Sequence, residues 1–230
     1  MINYEELKKK KIRENIKELR NNISDRSVML KVKNWADKYD LEFNFVKHKV
    51  FTDDIFALNF VKDPGRQNFH ENIAAYALES LANIQDFKLL PKGGKNAKVI
   101  NHGMLVSLEQ SRESISNPKT IDFEWKLKTE SGRIITCYAS HKYTKDKGGS
   151  QDNQFNDLKS FMQHAYQNNQ SDILFFAICD GNYYQQRDRT TNMSKIEELN
   201  ASFYKENKVK ATTINNLFEI LDLLIEDQKL

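Results

Sequence analysis

Apolar residues recur at helical spacing through the start of the chain. Ile12, Ile16, Leu19 and Ile23 follow that period and predict a helix over 4–21. A second helix is predicted over 27–39, with Ser24 or Asp25 as its cap. Residues 41–47 and 55–61 read as strands. Asp63-Pro64-Gly65 then breaks the chain before a helix over about 67–83, whose apolar positions include Phe69, Ile73, Ala74, Ala77, Leu78 and Leu81. Residues 120–127 and 133–143 predict two strands joined by the turn Thr129-Glu130-Ser131-Gly132, which makes a hairpin. Gly148-Gly149-Ser150 ends the strand region, and a helix follows over about 151–166 with Phe155, Leu158, Met162 and Ala165 as its apolar stripe. Residues 172–179 are apolar without alternation, as a fully buried central strand requires. Helices over about 194–206 and 213–226 close the chain. This order predicts an α/β fold, a mixed central β-sheet flanked by helices, with an N-terminal helical extension. The expected division is a helical and strand subregion over 1–62 and a core over 63–230, within one compact unit.

Composition narrows the class. With 230 residues, 39% hydrophobic and 29% charged, the chain is expected to be a soluble globular protein with a sizeable core. No apolar run approaches the roughly 20 residues that span a bilayer. The start, Met1-Ile2-Asn3-Tyr4-Glu5-Glu6, carries acids and leads into no apolar stretch, so no secretory signal is expected. Cys137 and Cys179 both sit in apolar segments and are expected to be buried thiols of a cytoplasmic protein. The abundance of lysine, asparagine and isoleucine points to a low-GC bacterial source.

Net charge is only +3, from 35 basic and 32 acidic side chains, and by itself demands no nucleic-acid partner. Local clusters change that picture. Lys8 to Lys11 read as a solvated helix face. Lys92, Lys95 and Lys98 surround Gly93-Gly94, and Lys142, Lys145 and Lys147 precede Gly148-Gly149. Glycine lets a backbone approach a phosphate closely, so these two clusters are the better candidates for DNA contact.

Side chains two apart on a strand share a face. Asp122, Glu124 and Lys126 are therefore expected on one face, and Ile121, Phe123, Trp125 and Leu127 on the other. Ser140 and Lys142 share a face of the second strand, so an in-register hairpin brings Asp122 and Lys142 to one end of the sheet. That pair reads either as a surface ion pair or as a metal-binding carboxylate with a lysine that handles an attacking water. Gln151 and Gln154 extend the next helix's buried stripe towards the same end, where they face either a polar cleft or solvent. Glu71, near the start of the 67–83 helix, reads as a helix-dipole partner or as a ligand. The five histidines show no ligand spacing, and no phosphate-binding glycine loop occurs.

Pro118-Lys119-Thr120-Ile121-Asp122, followed about twenty residues later by Ala139-Ser140-His141-Lys142, resembles the PD-(D/E)XK nuclease pattern of type II restriction endonucleases. The resemblance spans about 66–180. It implies a restriction-endonuclease-like core that cuts double-stranded DNA with Mg²⁺. Asp122 would hold the metal, Glu71 would assist, and Lys142 would position water and stabilise charge. Ser140 stands where the pattern carries a second acid, so Glu71 or Glu124 would supply that charge and the His141 carbonyl a further ligand. Glutamine-bearing segments often follow the pattern's last lysine, as 147–154 does here. The resemblance also implies a homodimer on palindromic sites and a cognate DNA methyltransferase. A repair or junction-resolving nuclease and a DNA-binding protein without cleavage are the rival readings. For reading bases, the segment 182–192 is dense in suitable groups, with Gln185, Gln186, Arg187 and Arg189 foremost, and the loop bearing Lys92 and Lys95 comes second.

Overall fold

Asn3 begins the first helix by accepting the Glu6 N–H on its side chain, and α1 runs Tyr4–Asn21. The computed structural model describes residues 2–66, 68–111, 118–145, 151–203 and 208–226, with backbone alone at Arg66 and Gln151. The next helix, α2, spans Arg26–Lys38, and α3 spans Phe43–Thr52. Glu42 caps α3 through bonds from Asn44 N and Phe45 N, and Asp53 caps the short α4, Asp54–Ala57, through Phe56 N. Ile16, Leu19, Val32, Ala36, Val46, Val50, Ala57 and Phe60 form one core, with Trp35 against Phe56 and Phe60.

Neither strand expected over 41–47 and 55–61 forms: 43–47 belong to α3, and 55–61 are the end of α4 followed by a turn. Short apolar runs fit either period. Here the carboxylate caps at Glu42 and Asp53 satisfy free N–H groups, and Phe43, Val46 and Val50 bury one helical face. Among the described residues, 1–62 contains no strand. This helical unit comprises residues 3–72, so the division falls inside α5, Phe69–Glu79, rather than at 62.

The second unit opens with β1 (Ile84–Leu89), β2 (Lys98–Asn101), β3 (Met104–Ser107), α6 (Leu108–Ser111) and β4 (Lys119–Thr120). It continues with β5 (Phe123–Lys128), β6 (Ile134–Tyr143), α7 (Gln151–Tyr166), β7 (Ile173–Asp180) and α8 (Asn182–Gln185). It ends with α9 (Lys195–Phe203), β8 (Val209–Thr212) and α10 (Ile214–Ile225). A five-stranded sheet has the order β1-β5-β6-β7-β8, and β3-β2-β4 form a smaller antiparallel sheet. The large sheet is mixed: β1, β5 and β6 pair antiparallel, whereas β6, β7 and β8 pair parallel. Parallel neighbours need crossovers, and α7 and α9 supply them. Ser194 and Glu197 start α9 as a reciprocal cap, each side chain bonding the other's N–H.

Helices cover both sheet faces. Tyr138, Phe175, Ala177, Cys179, Val209 and Ala211 meet Phe155, Leu158, Phe161 and Met162 of α7 and Leu199 of α9. On the other face Trp125 stacks on Phe176 at 5.9 Å, and α10 lies against β5 and β7. Every residue of β7 is buried, as its unbroken apolar run requires. Both cysteines are buried free thiols, and burial raises the pKa of each. Among the described residues no helix is long and apolar enough to cross a membrane.

The expected strand over 120–127 is interrupted. Thr120 pairs with Val99 in the small sheet, whereas Phe123 pairs with Ala139 in the large one. Between them Ile121 N donates to Lys98 O and Asp122 N donates to Ala139 O. The chain changes sheets here, so Ile121 packs with the α7 cluster instead of alongside Phe123 and Trp125.

Gly181 links β7 to α8 with φ 97°, and a Cβ there would lie 2.2 Å from Thr144 O. Left-handed strain and a clash with backbone add together. Gly181→Ala is expected to cost about 2–4 kcal/mol, on the order of those two penalties combined. Denaturant unfolding checks this, with the midpoint falling while the slope stays constant.

Candidate active site

The carboxyl ends of β6 and β7 lie together, since Thr144 N donates to Asp180 O at 2.8 Å. The amino end of β5 runs antiparallel beside β6, which brings Asp122 level with Ser140 and His141. Asp122 is only 2% exposed. Its Oδ2 accepts from Ser140 Oγ at 3.1 Å and from His141 N at 2.7 Å. Among the described residues nothing hydrogen-bonds its Oδ1. Its backbone is held as well, with Leu90 N donating to Asp122 O at 2.8 Å.

Lys142 pairs with Cys179 in the ladder, one strand step beyond Ser140 and on the same face. It is half-buried and makes no ion pair among the described residues, so it shares the sheet end with Asp122 without bonding it. Around it, Thr144 Oγ1 donates to Gln154 Oε1 at 2.8 Å and lies 3.4 Å from the Tyr184 hydroxyl. Gln154 therefore faces the strand end from the first turns of α7. Tyr183 donates its hydroxyl to Asp152 at 2.8 Å. Burial first, then the Asp152 bond, raises the Tyr183 pKa.

His141 turns its ring to the other face. There Nε2 lies 3.0 Å from Asp180 Oδ2, and Asp180 Oδ1 accepts from Ile214 N at 2.9 Å. Both side chains are buried. Thus the His141 main-chain N–H serves Asp122 while its imidazole anchors β6 to β7 and α10.

Glu124 is not a spare acid. Lys88 Nζ bonds its Oε1 at 2.9 Å and Lys98 Nζ bonds its Oε2, with Lys98 also over the Tyr138 ring at 5.6 Å. Burial works to raise the Glu124 pKa, but hydrogen bonds from Lys98 and Lys88 outweigh it and leave the carboxyl below its ordinary value. Burial, with the Glu124 charge adding to it, lifts the Tyr138 hydroxyl to about 12. Lys88, Lys95 and Lys98 line a cavity of about 590 Å³ with Leu90, Leu105 and Gln110.

The remaining expected residues are distributed as follows. Glu71 is 9% exposed in the first turn of α5 and belongs to the helical unit. Lys92 and Lys95 are exposed on the β1–β2 connection, and Lys145 is exposed just past β6. Lys147, Gly148-Gly149-Ser150 and the Gln151 side chain lie outside the described residues. The segment 182–192 is not the plain loop expected, because α8 occupies its start and buries Tyr183 and Tyr184. Gln185, Gln186 and Arg189 are exposed. Arg187 closes the rest of the loop, pairing with Glu197 at 2.7 Å and bonding Asn192 O at 2.5 Å.

Sequence reasoning passed over Thr144, Asp180 and Lys88. Asp180, an acid ending an apolar run, carried a readable signal; the other two carried none. Lys98, expected with Lys92 and Lys95 as a candidate for DNA contact, is bonded to Glu124. Among the described residues no three His, Cys, Asp or Glu side chains gather as a metal cluster. Comparisons with protein-family models, with curated proteins and with solved structures found no match.

Because the Glu124 pKa is lowered on folding, its stabilisation is present above about pH 4.5 and lost as pH falls through the lower folded value. Glu124→Gln is expected to cost about 1–3 kcal/mol at pH 7, the usual range for a hydrogen bond to a charged group. Urea unfolding at pH 7 and pH 3 checks it, with the gap between wild type and variant shrinking at the lower pH.

Proposed function

We propose that this protein is a Mg²⁺-dependent endonuclease of the type II restriction kind, hydrolysing phosphodiester bonds in double-stranded DNA. One observation carries the reading. Among the described residues a buried aspartate is fixed through one oxygen with no hydrogen bond on the other, and a lysine without an ion pair shares its sheet end. The order helix, three antiparallel strands, crossover helix and parallel strand supports a restriction-endonuclease-like core. Ligands in open α/β sheets commonly bind beyond the carboxyl ends of parallel strands, where these groups lie.

Mg²⁺ takes hard oxygen ligands, retains several waters and is often held by one or two carboxylates plus phosphate. The free Asp122 Oδ1 suits that chemistry. Asp122 would hold the ion, which supplies Lewis-acid polarisation of the phosphate and lowers the pKa of a bound water. Ser140 and the His141 N–H keep the carboxylate oriented. Lys142 positions the attacking water and stabilises negative charge developing on the phosphate. Lys145, Arg189 and the exposed glutamines Gln185 and Gln186 contact the DNA. A homodimer would match a two-fold DNA site.

A DNA-binding protein that does not cut is the second reading, favoured by the lone carboxylate. Incubating the chain with mixed plasmid DNA and Mg²⁺ divides the readings. Discrete fragments are expected, structure-selective nicking would indicate a repair enzyme, and intact DNA would leave binding alone.

Asp122→Asn is expected to slow Mg²⁺-dependent cutting by about 10²-fold or more, with DNA binding retained. Lys142→Ala should act on the rate in the same way, whereas Lys145→Ala should mainly weaken binding and reduce the salt slope by about one. Equal effects from the two lysine variants would demote Lys142 to a phosphate contact. Ser140→Asp sets a second carboxylate beside Asp122. It should lower the Mg²⁺ concentration for half-maximal cutting and destabilise the metal-free chain, read by titration and by melting in EDTA.

A further inference from the structure

In the helical unit, α2 and α3 are joined by the turn Tyr39-Asp40-Leu41-Glu42. Asp40 sits in the left-handed region, with φ 51°. Before the turn, the completely buried Ala36 provides a small side chain on α2. After it, Val46 and Val50 seat α3 on the core shared with α1 and α2. A turn of three or four residues between two helices on a compact core is the connectivity of a helix-turn-helix, whose second helix enters the DNA major groove.

The outward face of α3 suits that groove. Helical spacing places Asn44, Lys47, His48, Phe51 and Thr52 together, opposite Val46 and Val50. All five are exposed except Lys47, which is half-exposed. Among the described residues the side chains of Lys47 and His48 make no hydrogen bond or ion pair, and that of Asn44 reaches only its near neighbour Glu42. Asparagine pairs with adenine, lysine with guanine, and phenylalanine or a threonine methyl packs on the thymine methyl. Charge points the same way. Residues 3–72 carry fifteen basic and twelve acidic side chains, whereas the rest of the chain carries twenty of each. The whole net charge of +3 therefore belongs to the helical unit, and a phosphate backbone is its natural complement.

We infer that α2 and α3 form a DNA-reading helix-turn-helix, with Asn44, Lys47 and His48 of α3 contacting base edges and phosphates in the major groove. This goes beyond the nuclease reading, because it holds whether or not the Asp122 site cuts. It gives the chain a second sequence-reading surface besides the loops beyond β6 and β7.

The full chain in EDTA, where no metal-dependent cutting occurs, is titrated into mixed-sequence duplex and used to select from random-sequence duplex. Asn44→Ala/Lys47→Ala/His48→Ala removes two exposed side chains and one half-exposed one, and melting checks that it folds; Lys47→Glu alone serves if it does not. The triple variant should bind at least about tenfold more weakly and fail to enrich the sequence the native chain selects. Lys47→Glu should weaken binding and flatten the salt dependence. Unchanged affinity with the same enriched sequence would overturn the inference, as would a native chain that binds no duplex at low salt. An altered sedimentation coefficient with DNA binding intact would assign the face to protein contact and overturn it too. Cutting by Asp122→Asn is scored separately, so a failure of α3 and a failure of the nuclease reading are distinguishable.

Discussion

Four hydrogen bonds converge on Asp122, and the architecture of the second unit turns on them. Its N–H reaches Ala139 O, its carbonyl receives Leu90 N, and its Oδ2 receives Ser140 Oγ and His141 N. The chain leaves the small sheet at Thr120 and enters the large one at Phe123, so residue 122 must join β1, β5 and β6 at once. A buried carboxylate is costly unless its oxygens are met by donors. Among the described residues only one of the two oxygens is so met.

The surroundings hold this arrangement from both faces. On one, His141 and Asp180 tie β6 to β7 and to the first N–H of α10, so a shift of β6 would strip a buried pair of its partners. On the other, Thr144, Gln154 and Tyr184 tie the end of β6 to α7 and α8. Glu124 is withdrawn from the site by Lys88 and Lys98, whereas among the described residues Lys142 makes no ion pair. The links span a sheet whose strand β7 is wholly buried.

The helical unit follows a different logic. Its core is small and largely aliphatic, and α1, α3 and α4 begin on side-chain caps, whereas Asp25 makes no such bond at the start of α2. A rigid sheet end suits chemistry, and an exposed helix face on a separate core suits recognition.

Much of this was legible in the amino-acid pattern. The helices over 4–21 and 27–39, the hairpin around Gly132, the amphipathic α7 and the buried β7 follow from periodicity, because their apolar positions admit one burial geometry each. The juxtaposition of Asp122 with Ser140 follows too, since alternation and hairpin register place them opposite one another. Residues 41–61 differ from expectation because short apolar runs satisfy both periods. The caps at Glu42 and Asp53 are local, each bonding three residues on, and Asp53 before a helix is a start signal that the apolar runs overshadowed. The change of sheet at Ile121-Asp122, the pairing of His141 with Asp180 and the capture of Glu124 by two lysines join residues about twenty to forty apart. Sequence alone determined which side chains could carry charge at the sheet end. Tertiary structure decided which of them are spent on one another, because burial makes partnerships between distant strands obligatory.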